Sequence, residues 1–180
     1  MDFIDLVKQR KTTYEFSDKG LDIKKIYKIL DAGRWSPSCI NSQPWKFIVI
    51  QNKLKINQLM SCANYGEFHS NPQIIIAIIL RSKLCRGKDH SCYRGKDSGV
   101  HDSYMSCGIA VYAMALEATD IGVDSCILTP KQKEVKKILH VNKEDAVPLL
   151  LGLGYESKNA FQKRRERKSL KEIVCYEEFK

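Results

Sequence analysis

Between Ser36 and Phe47 the chain reads SPSCINSQPWKF. Pro37 and Pro44 fix the backbone at either end, and Ser38, Asn41 and Gln43 supply a hydroxyl and two amides between them. Trp45 and Phe47 then lead into an apolar strand, FIVI. Short polar side chains held between prolines form a rigid set of donors and acceptors on a loop. That chemistry suits the clasping of something planar and polar. It also suits a buried turn capped by its own amides, and the loop alone leaves both readings open.

The second chemical signal is charge. Thirty Lys and Arg against 21 Asp and Glu give a net charge of +9 over 180 residues. The excess collects in two places. Arg81 to Lys96 holds six basic residues against Asp89, and KRRERK, residues 163 to 168, holds five against Glu166. Such clusters attract phosphate of any kind, whether nucleic acid, lipid or cofactor. Neither carries an RRM, KH or zinc-finger pattern.

Seven cysteines lie scattered with no CxxC. Cys85, His90 and Cys92 share a polar stretch but lack a fourth ligand, so no metal is expected there. Free thiols point to a reduced, cytoplasmic setting. Asp2 and Asp5 interrupt the first apolar stripe, so no secretory leader is expected, and the longest apolar run, Ile74 to Leu80, is too short to cross a bilayer. No GxGxxG follows a strand, and Walker A, HExxH and GxSxG are absent. GLGY, 152 to 155, ends a strand without a third glycine.

The elements that must position these groups follow from periodicity. Apolar spacing predicts helices over 3–10, 23–34 (capped by Asp22), 53–62, 102–120, 131–139 and a short turn at 170–174. Strands are expected at 47–50, 74–80, 123–128 and 147–153. The helix over 102–120 has a small flank (Cys107, Ala110, Ala113, Ala118) and a bulkier one (Met105, Ile109, Tyr112, Leu116), which predicts close packing against a helix or a partner subunit. Residues 81–101 read as a loop. Helices and strands intermix without an internal repeat. The expectation is one domain over 1–180, α+β or α/β, in three layers with about four strands.

Together the segments resemble the nitroreductase family, the FMN-dependent NAD(P)H oxidoreductases, over essentially the whole chain. RKTTYEF, Arg10 to Phe16, is similar to the family's first basic string. AGRWSPSCINSQPWKF, Ala32 to Phe47, resembles its Pro-Ser-x-x-Asn-x-Gln-Pro-Trp segment, the most specific of the matches. The Ala-rich helix after Asp102, GVD at 122–124, a strand ending in LGY, and RKSLKEIV at 167–174 follow in the family's order.

The resemblance implies an α+β, three-layer α/β/α sandwich with a mostly antiparallel central sheet, in an intimate homodimer with FMN at the subunit interface. It places Arg10, Lys11, Arg165 and Arg167 on the FMN phosphate and ribityl chain, with the Thr12 hydroxyl nearby. Pro37, Ser38, Cys39 and Asn41 approach the flavin ring from the other subunit. Asn64 meets the ring edge, and Leu128 and Thr129 lie beside the ring. Tyr14 stands where the family carries Arg or Lys near the flavin N1 and O2; a phenol offers one hydrogen bond and no positive charge, so the bound flavin is expected to be harder to reduce.

The implied activity is hydride transfer from NAD(P)H through flavin N5 to an electron-poor acceptor such as a nitroaromatic or quinone, by two-step exchange. No side-chain acid or base is required, so no catalytic residue is expected. The alternatives are an FMN carrier or sensor, favoured by Tyr14, and a specialised enzyme of the same fold acting on a biosynthetic or halogenated substrate. The basic stretches are expected to serve the cofactors, with a lean toward NADPH, rather than nucleic acid or membrane. Residues 81–101 form the candidate lid, and the tail 156–180 is expected to reach toward the partner.

Overall fold

The segment IIIAIIL, Ile74–Leu80 (β2), is buried at every position, and a strand with no polar face needs cover on both sides. In the computed structural model, which describes residues 2–63, 68–81, 98–161 and 165–179, β2 lies inside a four-stranded antiparallel sheet. Trp45–Ile50 (β1) pairs on one side and Ala146–Gly154 (β4) on the other, with Asp124–Leu128 (β3) beyond β4. The side-chain period of two then splits the core. Ile75, Ala77 and Ile79 face one layer, while Ile74, Ile76, Ile78 and Leu80 face the other.

The first layer is Lys53–Ala63 (α3) and Gln132–Leu139 (α5), through Ile56, Leu59, Met60 and Val135. The second is Ile23–Arg34 (α2) and Ser98–Asp120 (α4), through Ile26, Ile29, Cys107, Val111, Met114, Ala115 and Ala118. The result is the expected α+β, three-layer sandwich.

Local chemistry sets the ends of the elements. Asp22 caps α2 by accepting from the Lys24 amide at 2.9 Å. Gly122, at φ +67°, stops α4 in the left-handed conformation that glycine adopts without steric cost. Phe3–Gln9 (α1) buries no residue and lies against α4, with Arg10 as its C-cap. The chain then runs extended. Thr12 bridges Ser125 on β3 in parallel and Phe16 bridges Glu156 after β4, so residues 10–17 line the sheet margin.

Two boundaries differ most from the sequence expectation. β1 starts two residues early at Trp45, and the Pro44 carbonyl still accepts from the Arg81 amide at 2.8 Å, so pairing extends past the apolar run. α4 starts at Ser98, which makes residues 98–101 of the expected 81–101 loop helical. The remaining 82–97, including Cys85, His90 and Cys92, lie outside the described residues. On the bulky flank of the long helix Met105, Ile109 and Tyr112 are exposed, and Cys107, Val111, Met114, Ala115 and Ala118 pack inward with α2.

That close approach depends on Gly33. A Cβ there would lie 2.1 Å from Met114 Cε and 2.9 Å from its Cγ. Gly33→Ala is expected to cost about 1–3 kcal/mol by overpacking. In chemical denaturation, the Gly33→Ala/Met114→Ala double variant should lose less than the sum of the two single losses.

Candidate functional site

At the C-terminus of α1 the basic residues converge. Arg10, Arg165 and Arg167 line one cavity of about 450 Å³ with Val7, Lys8 and Tyr112. None of these six lining residues is acidic. Arg165 donates from Nη2 to the Arg10 carbonyl, which holds the tail against α1. The Arg10 guanidinium lies over the Tyr112 ring, 6.0 Å from its centroid, at a distance where the ring face attracts a cation.

The Arg10 Nε is buried and has no hydrogen-bond partner among the described residues. A buried guanidinium N–H without an acceptor is costly, and an anionic oxygen is the partner it accommodates best. Three guanidiniums and the Lys8 ammonium around one cavity therefore fit a phosphate group.

Lys11 does not join them. Its ammonium is paired with Glu156, half-buried, and it lines a different cavity with Gln9, Thr119, Gly122 and Asp124. Thr12 is held at the sheet margin by its bridge to Ser125. Tyr14 packs against Phe68 with ring centroids 5.1 Å apart, and its carbonyl accepts from the His69 amide at 3.2 Å. Leu128 is buried at the end of β3, with Thr129 following. Asn64 lies outside the described residues.

The clasp loop forms a tight turn at Cys39–Asn41 beside α4. Ile40, Asn41 and Gln43 have φ of 49°, 56° and 45°. Three non-glycine residues in the left-handed region within four positions store strain, and for β-branched Ile40 the conformation is an outlier. Hydrogen bonds hold the turn: Ser38 Oγ accepts from the Gln43 amide at 2.9 Å, and Asn41 Oδ1 accepts from Gln43 Nε2 at 3.2 Å. Pro37, Cys39 and Asn41 are exposed. None of the clasp residues lines the arginine cavity.

Sequence reasoning missed Lys8 and Tyr112. Lys8 has the signal of a cation in the last turn of a helix that ends at Arg10. Tyr112 was visible only as a member of the bulky flank, Met105, Ile109 and Tyr112, and its polar tip was the clue that it serves a cavity. Tyr104, Met105, Ile109 and Tyr112 all remain exposed on α4, and Leu170, Ile173, Tyr176 and Phe179 are exposed along the tail.

With this geometry in view, the profile of the Nitroreductase family matches residues 7–68 and 59–155. The chain belongs to the nitroreductase family. Membership makes it an oxidoreductase. A nitroreductase family protein of Clostridium difficile 630 superposes with a TM-score of 0.83 at 26% identity, covering 99% of this chain and 100% of that one. A protein named putative NADH dehydrogenase/NAD(P)H nitroreductase from Archaeoglobus fulgidus is 24% identical over 157 residues, 84% of each chain. The iodotyrosine dehalogenase 1 homolog of Caenorhabditis elegans is 22% identical over 195 residues, 96% of this nitroreductase-family chain and 60% of the worm protein. Among the described residues, no helix is long and apolar enough to cross a membrane, and no three His, Cys, Asp or Glu gather where they could hold a metal.

The thiols divide by burial. Cys39 and Cys175 are exposed, whereas burial pushes Cys107 and Cys126 up to about 12 and raises Cys62, with Glu134 adding to it. A thiolate is the reactive form. Among these five, peptide mapping after alkylation at pH 8 should find Cys39 and Cys175 modified first. Because the folded state holds the Cys107 and Cys126 protons above the ordinary thiol value of 9.0, their contribution to stability is full below that pH. It is lost as pH rises toward 12, so the denaturation midpoint should fall across this window.

Proposed function

We propose that this chain is an FMN-dependent oxidoreductase that takes hydride from NAD(P)H and delivers it to an electron-poor acceptor such as a nitroaromatic or quinone. The observation that carries the reading is the cavity lined by Arg10, Arg165 and Arg167, together with a buried Arg10 Nε that has no hydrogen-bond partner among the described residues. Those guanidiniums would hold the FMN phosphate by charge-assisted hydrogen bonds, with Lys8 adding charge at the cavity wall.

The Thr12 hydroxyl would serve the ribityl chain. Leu128 and Thr129, at the end of β3, would flank the ring, with Asn64 and Tyr14 near its edge. Pro37, Ser38, Cys39 and Asn41 would come from a second copy, since the clasp residues line no part of the arginine cavity in their own subunit. The exposed apolar stripe of α4 and the exposed apolar residues of the tail support such a homodimer. When bound, the flavin supplies the hydride chemistry between donor and acceptor. The protein's part is to bind, orient and exclude water, which requires no side-chain acid or base.

A second reading, reduction of a halogenated aromatic, is favoured by the similarity to the worm dehalogenase homolog. Anaerobic addition of NADPH or NADH to the FMN-loaded protein should bleach the flavin absorbance. Quinone or nitroaromatic should restore it under the first reading, and a halotyrosine preferentially under the second. Bound flavin that neither nucleotide bleaches would favour a carrier or sensor. Arg10→Ala is expected to raise the FMN dissociation constant about 10- to 100-fold, the size of one or two hydrogen bonds to a charged group, with circular dichroism unchanged.

A further inference from the structure

Lys11 directly follows Arg10, and a cation at that place is easily taken as a second ligand for the same anion. The geometry argues otherwise. Successive side chains on extended backbone point to opposite sides. Arg10 lines the arginine cavity, and Lys11 lines the other one and pairs with Glu156.

Glu156 begins the segment that leads to Arg165 and Arg167. That segment is tied to residues 11–17 along its length. Ser17 donates from its amide and hydroxyl to the Tyr155 carbonyl at 2.8 and 3.1 Å. The Ser157 amide donates to the Glu15 carbonyl at 3.0 Å, and the Phe161 amide donates to the Glu15 carboxylate at 3.1 Å. Two of these four ties run between backbone groups and survive side-chain replacement, and the other two use the Ser17 hydroxyl and the Glu15 carboxylate. The charge pair of Lys11 and Glu156 is the ionic member, with 28% and 19% of the two side chains exposed, which screens it less than a surface pair.

We propose that Lys11 is a positioning residue whose ion pair with Glu156 staples the 155–161 segment to the sheet margin, so that Arg165 and Arg167 arrive beside Arg10. The inference rests on the reading of the arginine cavity as the FMN phosphate site. Its content is that Lys11 contributes to that site through geometry, its own charge being met by Glu156. Arg165 donating to the Arg10 carbonyl is the contact the staple serves.

Charge reversal separates a staple from a ligand. FMN affinity, by fluorescence quenching at two salt concentrations, and tryptic nicking after Arg165 and Arg167 are measured for wild type, Lys11→Glu, Glu156→Lys and the double reversal. Each single reversal should weaken FMN about fivefold or more, the scale of one ion pair, and speed the nicking. The double reversal should recover both to near wild type. A double variant that binds FMN as poorly as Lys11→Glu would make Lys11 a direct anion ligand and overturn the proposal. Single variants with wild-type affinity and nicking would overturn it as well.

Wild-type protein that binds no FMN would refute the proposed function instead, and the nicking rates alone would then decide the staple. If the reversals do not fold, Lys11→Met, Glu156→Gln and their double carry the same comparison, with equal single losses and no further loss in the double as the supporting result.

Discussion

A strand without a polar face governs this structure. Ile74–Leu80 is buried throughout, so it must sit inside a sheet with helices on both sides, and the apolar faces of α2, α3, α4 and α5 supply that cover. With both faces of the sheet occupied by core, polar chemistry is left to the margins. The segment 10–17 runs along one margin, against β3 and the end of β4. There α1, its C-cap and the tail bring their cations together beside Tyr112 of α4. The scaffold thus leaves the site exposed at an edge while the core holds its parts in register.

Charge at that edge accounts for part of the chain's positive excess. Like charges crowd Arg10, Arg165, Arg167 and Lys8 around one cavity with no acidic residue among its described lining, an arrangement that repels itself until an anion enters. The buried Arg10 Nε makes the same demand at the level of one hydrogen bond. Lys11 beside it is already satisfied by Glu156. Adjacent cations in the sequence thereby line different cavities.

The sequence made the sheet legible because β2 and β4 are strongly apolar runs and the helices keep their 3.6-residue period. Asp22 and Gly122 marked two helix ends for stated local reasons, a side-chain cap and a left-handed φ. The start of α4 was hidden because Ser98 to His101 carry no apolar periodicity, and β1 was extended by pairing rather than by composition. In the site, Arg10, Arg165 and Arg167 were visible as types, and their convergence is a tertiary fact. Tyr112 and the partner of Lys11 lie far along the chain from the residues they touch, and no local pattern announces such contacts. The left-handed Ile40 was equally invisible, since a β-branched residue is the last that propensity would place there.

The most direct test of this account compares riboflavin with FMN, which differ only in the phosphate. If Arg10, Arg165 and Arg167 hold that group, FMN should bind on the order of 100-fold more tightly at low salt, the worth of about two charge-assisted hydrogen bonds. The gap should narrow as salt rises. Equal affinity for the two, unchanged by salt, would contradict the assignment of the arginine cavity and with it the proposed site.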